Sequence, residues 1–135
     1  MNEFLKGSKL PSFQKPAITR EQLALYARAS QDNNPIHLDE EVAKKAGLPS
    51  VIAHGMLTMA FMGEYLYFIL KHLGWDGGKI SKMSCHFKAM VFPGDEITIQ
   101  GTVKQVTNEK LECEIDAINS KKEVVAIGTG VLSSH

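Results

Sequence analysis

The sequence is poor in the features that usually narrow a function at once. Neither sign of charge prevails: 15 lysines and arginines stand against 15 aspartates and glutamates. A chain so balanced makes no broad field to draw nucleic acid or an anionic membrane, so neither is expected as a partner. Cysteine is scarce, with only Cys85 and Cys113. Two cysteines are too few to staple a domain of this size, and both fall on apolar faces of candidate strands. They read as reduced core residues of a cytoplasmic protein. No apolar run is long enough to span a bilayer, because the greasiest stretch, 55–73, is interrupted by Thr58, Glu64 and Lys71. Residues 1–12 lack the apolar segment of a secretion signal. Repeats, linkers and low-complexity tracts are absent too. What remains is 44% hydrophobic and 22% charged residues in a chain of 135, the balance of one ordinary globular domain over 1–135.

The chain divides into a helical first half and a strand-rich second half, which predicts an α+β fold. Ser12 to Ile18 reads as a short opening strand. Thr19-Arg20-Glu21-Gln22 has the form of a capping box. The helix it starts carries Leu23, Tyr26 and Ala27 on one face and frays near Ser30. Asp39 caps a second, short helix through Ala46, with Gly47 as its stop. From Gly55 to Leu73 a third helix is apolar on most sides, which predicts that protein surrounds it. After Gly74 the period changes to two. Met83, Cys85, Phe87 and Ala89 alternate with polar neighbours, and so do Ile97, Ile99, Gly101 and Val103, then Leu111, Cys113, Ile115 and Ala117. A final, more buried strand runs from Glu123 to Leu132. Short turns between these strands predict an antiparallel meander, curved around the long helix.

Two segments carry chemistry. The first is Asp32-Asn33-Asn34-Pro35-Ile36-His37. Neither a helix nor a strand brings side chains five residues apart to face each other, but a loop stiffened by proline does. An acid and an imidazole so placed are able to hold one water and move its protons. On spacing alone the commoner reading is structural, with Asp32 a turn residue and His37 a satisfied histidine. The second segment is Ile52-Ala53-His54-Gly55-Met56, at the head of the greasy helix. A buried helix N-terminus offers unpaired N–H groups, and a glycine lets a ligand approach them. A metal site built from Asp32, His37, Asp39 or His54 is the weaker alternative, since it lacks paired helical histidines or clustered cysteines.

Taken together, Tyr26 to His37, then Ala46-Gly47-Leu48 through Ala53-His54-Gly55-Met56-Leu57, then Phe87-Lys88 through Phe92-Pro93-Gly94-Asp95 resemble the MaoC-like (R)-specific enoyl-CoA hydratases and (3R)-hydroxyacyl-ACP dehydratases. The resemblance spans nearly the whole chain. It implies a hot-dog fold, with a curved antiparallel sheet wrapped around one long buried helix, and a homodimer. It implies Asp32 and His37 as the catalytic pair, and Gly55, Asn34 and His54 as oxyanion or substrate-binding residues. The substrate it implies is an enoyl thioester of CoA or acyl carrier protein, with no cofactor and no metal. Two other readings compete: an acyl thioesterase on the same fold, and a non-catalytic acyl-binding subunit of a heteromeric dehydratase. One departure stands out. Relatives usually carry glycine just before the aspartate, where this chain has Gln31. If that position takes positive φ, Gln31 is strained and bears on where Asp32 lies.

Overall fold

The computed structural model describes residues 4–135. Its elements in order are β1 (Lys9–Gln14), α1 (Arg20–Ser30), a single 3-10 turn (Pro35–His37), α2 (Glu40–Lys45), α3 (Gly55–Leu73), β2 (Lys79–Phe87), β3 (Thr98–Val106), β4 (Lys110–Ile118) and β5 (Val124–Ser133).

Local chemistry explains the helix ends. Thr19 accepts a hydrogen bond from the Gln22 N–H, and Asp39 accepts from those of Glu41 and Val42. Each satisfies donors that the first helical turn leaves free. Gly74 ends α3 in the left-handed region, where its N–H closes onto the carbonyls of Leu70 and Lys71. Gln31 ends α1 in the same region, at φ 63° and ψ 21°. Positive φ is thus what this position takes, and a side chain there costs strain that glycine would not.

The sheet has five strands in the order β1-β3-β4-β5-β2, every pair antiparallel. Only β3, β4 and β5 form the expected meander. β2 does not pair with its sequence neighbour β3. It lies beyond β5, and the 88–97 connection crosses the layer to reach β3. Alternation marks a strand without naming its neighbour, so a run of short turns suggested a simpler order than the one found.

The opening strand also begins earlier than its sequence suggests. Pro11 lies inside β1, an edge strand with an irregularity between Leu10 and Phe13, where a missing N–H is tolerated. Beyond Gln14 the chain stays extended, and Lys15 and Ile18 donate to the carbonyls of Ile97 and Asp95.

α3 packs into the curve of the sheet. Leu57, Thr58, Phe61, Met62, Tyr65, Leu66, Ile69, Leu70 and Leu73 are buried. Each fully buried side chain of this size stabilises by about 1.5–3 kcal/mol. Gly130 of β5 makes room for Leu66, since a Cβ there would stand 2.7 Å from a Leu66 methyl. The Tyr65 hydroxyl donates to the Pro11 carbonyl at 2.6 Å, tying α3 to β1, and burial pushes its pKa well up. Cys113 is buried and its thiol is pushed up to about 11 by desolvation; Cys85 is half-buried, and both thiols are free. One expectation is only partly met. Protein does not surround α3 on all sides, for Met56 and Tyr67 remain 55% and 56% exposed. Among the described residues no helix is long and apolar enough to cross a membrane.

Candidate active site

The loop after α1 is shaped by its own side chains. Asp32 Oδ1 accepts from the Asn34 N–H at 3.4 Å, and Asn34 Oδ1 accepts from the Ile36 N–H at 3.2 Å. Two successive Asx turns, followed by Pro35, fold the chain back within a few residues. The loop then docks on the strand-like segment before α3. Ile52 donates its N–H to the Ile36 carbonyl, and Ala53 donates to Val91. Glu40 holds the same segment from outside: its carboxylate takes the Val51 N–H at 3.1 Å and the Arg20 guanidinium at 3.0 Å. The Arg20 hydrogen bond is the main reason the Glu40 pKa lies below the usual range.

Asp32, His37 and His54 converge at this junction. One donor atom from each lies within 4.8 Å of the others. Two groups that each hold one shared water at about 2.8 Å stand about 4.5 Å apart when the water is tetrahedral. A spacing within that bound leaves room for one bridging water. Asp32 is exposed, whereas His37 is 9% exposed. His37 Nδ1 lies 2.7 Å from the Ile52 carbonyl. A carbonyl only accepts, so Nδ1 carries the proton, and the lone pair of the neutral ring is on Nε2. That leaves a base aimed away from the main chain.

His54 is placed differently. It is 2% exposed, its Nε2 donates to the Asp32 main-chain carbonyl at 3.0 Å, and its ring stacks on His37 with centroids 3.8 Å apart and planes 22° from parallel. Its Nε2–H is thus taken by the loop's main chain, and its ring touches the pair. Asn34 spends its side-chain oxygen on capping the turn, which leaves its side-chain NH2 as a donor.

The three groups do not suit a metal. Ring lone pairs lie in the ring planes, and two rings stacked with centroids 3.8 Å apart and planes 22° from parallel do not aim both lone pairs at one point about 2 Å from each nitrogen. Asp39, the fourth candidate ligand, uses its carboxylate to cap α2.

The head of α3 lies next to this cluster, with His54 as the residue just before the helix. No side chain caps the helix, and no acidic residue sits in its first turn. Its first N–H groups and the positive end of its dipole are thus available to an anionic atom. Gly55 is exposed, and the Phe87 ring covers it on one side: a Cβ at residue 55 would stand 3.0 Å from Phe87 Cε2. Sequence reasoning missed Phe87. Its alternation marked it as an inward strand residue, and nothing local showed that the strand's end reaches the helix head. A groove of about 650 Å³ on the outer face of the sheet is lined by none of Asp32, His37, His54 or Gly55.

A hot-dog fold with an aspartate and a histidine meeting at an uncapped helix head defines the class of this molecule. The chain belongs to the MaoC like domain family, whose model matches residues 6–126. It is 33% identical over 108 residues to the (R)-specific enoyl-CoA hydratase of Rhodospirillum rubrum, covering 80% of this chain and 72% of that protein. It is 36% identical over 108 residues to Fatty acid synthase 2 of Mycosarcoma maydis, covering 77% of this chain but spanning only 3% of that much longer protein. Among solved structures, the (R)-hydratase of A. caviae involved in PHA biosynthesis superposes with a TM-score of 0.83, at 24% identity, over 98% of both chains. That likeness carries the fold.

Proposed function

We propose that this protein adds water to trans-2-enoyl thioesters, giving (R)-3-hydroxyacyl thioesters, or removes it in reverse. The observation that carries the proposal is the closeness of Asp32 and His37 beside the open head of α3. The similarity to an (R)-specific enoyl-CoA hydratase supports it.

In this reading Asp32 and His37 Nε2 share one water. The pair takes a proton from it as its oxygen bonds to C3 of the substrate, and electrons shift through C2 to the thioester oxygen. The Gly55 N–H and the helix dipole stabilise the negative charge on that oxygen. The pair then returns a proton to C2. The net change is H and OH across the double bond, and the pair ends as it began. Because the two groups are close, they titrate jointly, and acid and base roles belong to the pair. No cofactor or metal takes part. The carrier is CoA or acyl carrier protein, and the setting is cytoplasmic.

The working unit is a homodimer. β2 is a free sheet edge, and Phe87, Met90 and Met56 are half or more exposed near it. A second copy added at that edge pairs its open hydrogen-bonding groups and covers the apolar face. Sedimentation at micromolar concentration should give twice the chain mass.

The test of activity is incubation with crotonyl-CoA, followed by loss of enoyl absorbance and by product chirality. Formation of (R)-3-hydroxybutyryl-CoA is expected. Release of free CoA thiol without hydration would make the protein a thioesterase. Inactivity alone, reversed by a related subunit, would make it the non-catalytic half of a heteromer.

A further inference from the structure

We propose that His54 is a positioning residue: as a neutral imidazole it fixes the Asp32 main chain through Nε2–H and supplies the ring face on which His37 lies. The inference rests on the reading of Asp32 and His37 as the water-holding pair.

His54 immediately precedes α3, where serine, threonine, aspartate or asparagine would satisfy the first turn. His54 makes no such bond. Its ring turns the other way, into the junction between α1 and the 32–37 loop, and is almost completely buried there. The Tyr26 ring meets it edge-on at 4.9 Å and His37 stacks on it at 3.8 Å. Nδ1 is left buried with no hydrogen-bond partner. A forgone helix cap and a buried lone pair are both unfavourable, and local rules are broken in this way where a site demands it.

The demand is visible in the loop. Gln31, directly before Asp32, is held at positive φ. Asp32 itself is exposed, and its other described bonds are local: its N–H to Ser30 Oγ, and its Oδ1 from the Asn34 N–H. Among the described residues, His54 makes the one hydrogen bond that reaches Asp32 from beyond the 30–37 segment. The bond requires a proton on Nε2. Nδ1 is shut away from solvent and meets no partner, which leaves it no route to a substrate. His54 holds both partners at once, one through a hydrogen bond to the main chain and the other through its ring face.

The experiment has two arms. In the first, His54→Phe keeps the ring, the stack and the Tyr26 contact but loses the donor, while His54→Gln restores an N–H near the Nε2 position. With crotonyl-CoA, His54→Phe should lower kcat about a hundredfold, the scale of a misplaced reacting group, with KM and the shape of the pH profile little changed. His54→Gln should recover most of the loss. Wild-type kcat in His54→Phe, or a lost pH limb showing that His54 itself titrates in turnover, overturns the proposal. In the second arm, 15N chemical shifts of the wild-type imidazoles should show His54 with its proton on Nε2 and a bare Nδ1. A proton on Nδ1 overturns the proposal even if His54→Phe does not fold. This arm needs no activity. If the protein turns over no enoyl thioester, the hydratase reading fails, while the shifts still decide whether His54 clamps Asp32.

Discussion

α3 and the 31–37 loop are held in place by opposite means. The helix is fixed by area: nine of its residues are buried against a sheet that curves around it. Most of the loop has no burial: Gln31 through Pro35 are all exposed, and His37 at its end is the buried exception. The loop is fixed by direction, through two Asx turns, the His37–Ile52 bond and the His54–Asp32 bond. Burial is non-directional and shared among many contacts. A hydrogen bond sets one atom in one place and has no substitute when lost. The scaffold is therefore robust and the site exact but fragile, and the two should fail independently.

The sharpest break of that contrast is Asp32→Asn. It should lower the rate of crotonyl-CoA hydration by about two to four powers of ten, with thermal unfolding unchanged. Leu66→Ala should do the reverse. It should destabilise by about 2–5 kcal/mol in urea titration, while the protein that remains folded keeps its activity. If either variant lost both properties together, the two regions would be one.

A smaller effect tests the seam between them. Gln31→Gly removes a side chain from a left-handed position. Relief of strain, less the added freedom of the unfolded chain, should stabilise by about 0.5–1 kcal/mol. The smallest effect belongs to the sheet's outer face. Asp116 lies in the groove there, and burial raises its pKa, only partly offset by its cross-strand neighbour Gln100. A carboxyl whose folded pKa is raised destabilises the fold once pH rises past the carboxylate range, because the native state disfavours its charged form. Asp116→Asn should therefore raise Tm slightly at pH 7 and leave it unchanged at pH 3, where Asp116 is already neutral. A gain of equal size at both values would assign the effect to packing.

These two regions were also unequally legible in the sequence. The bounds of α3, from Gly55 to Leu73, follow from its apolar run and its two flanking glycines. Thr19 and Asp39 are read as caps from residue type and spacing alone. The replacement of glycine by Gln31 raised the question of positive φ at that position, and the structure answers it at φ 63°. By contrast, the place of β2 at the far edge depends on pairing between distant segments, which alternation does not encode. The bonds that orient the site were hidden for a related reason. His37 and His54 are both anchored on main-chain carbonyls, of Ile52 and Asp32. Every residue has a carbonyl, so no residue type in the sequence announces such a partner.

The central claim is that one oxygen atom is shared by an exposed carboxylate and a buried imidazole while a helix head receives the thioester. The most direct measurement is a crystal structure with an (R)-3-hydroxyacyl-CoA product bound. The account predicts the 3-hydroxyl within hydrogen-bond distance of both the Asp32 carboxylate and His37 Nε2, with the thioester oxygen on the Gly55 N–H. A 3-hydroxyl that contacts neither side chain, or a thioester bound away from α3, would contradict it.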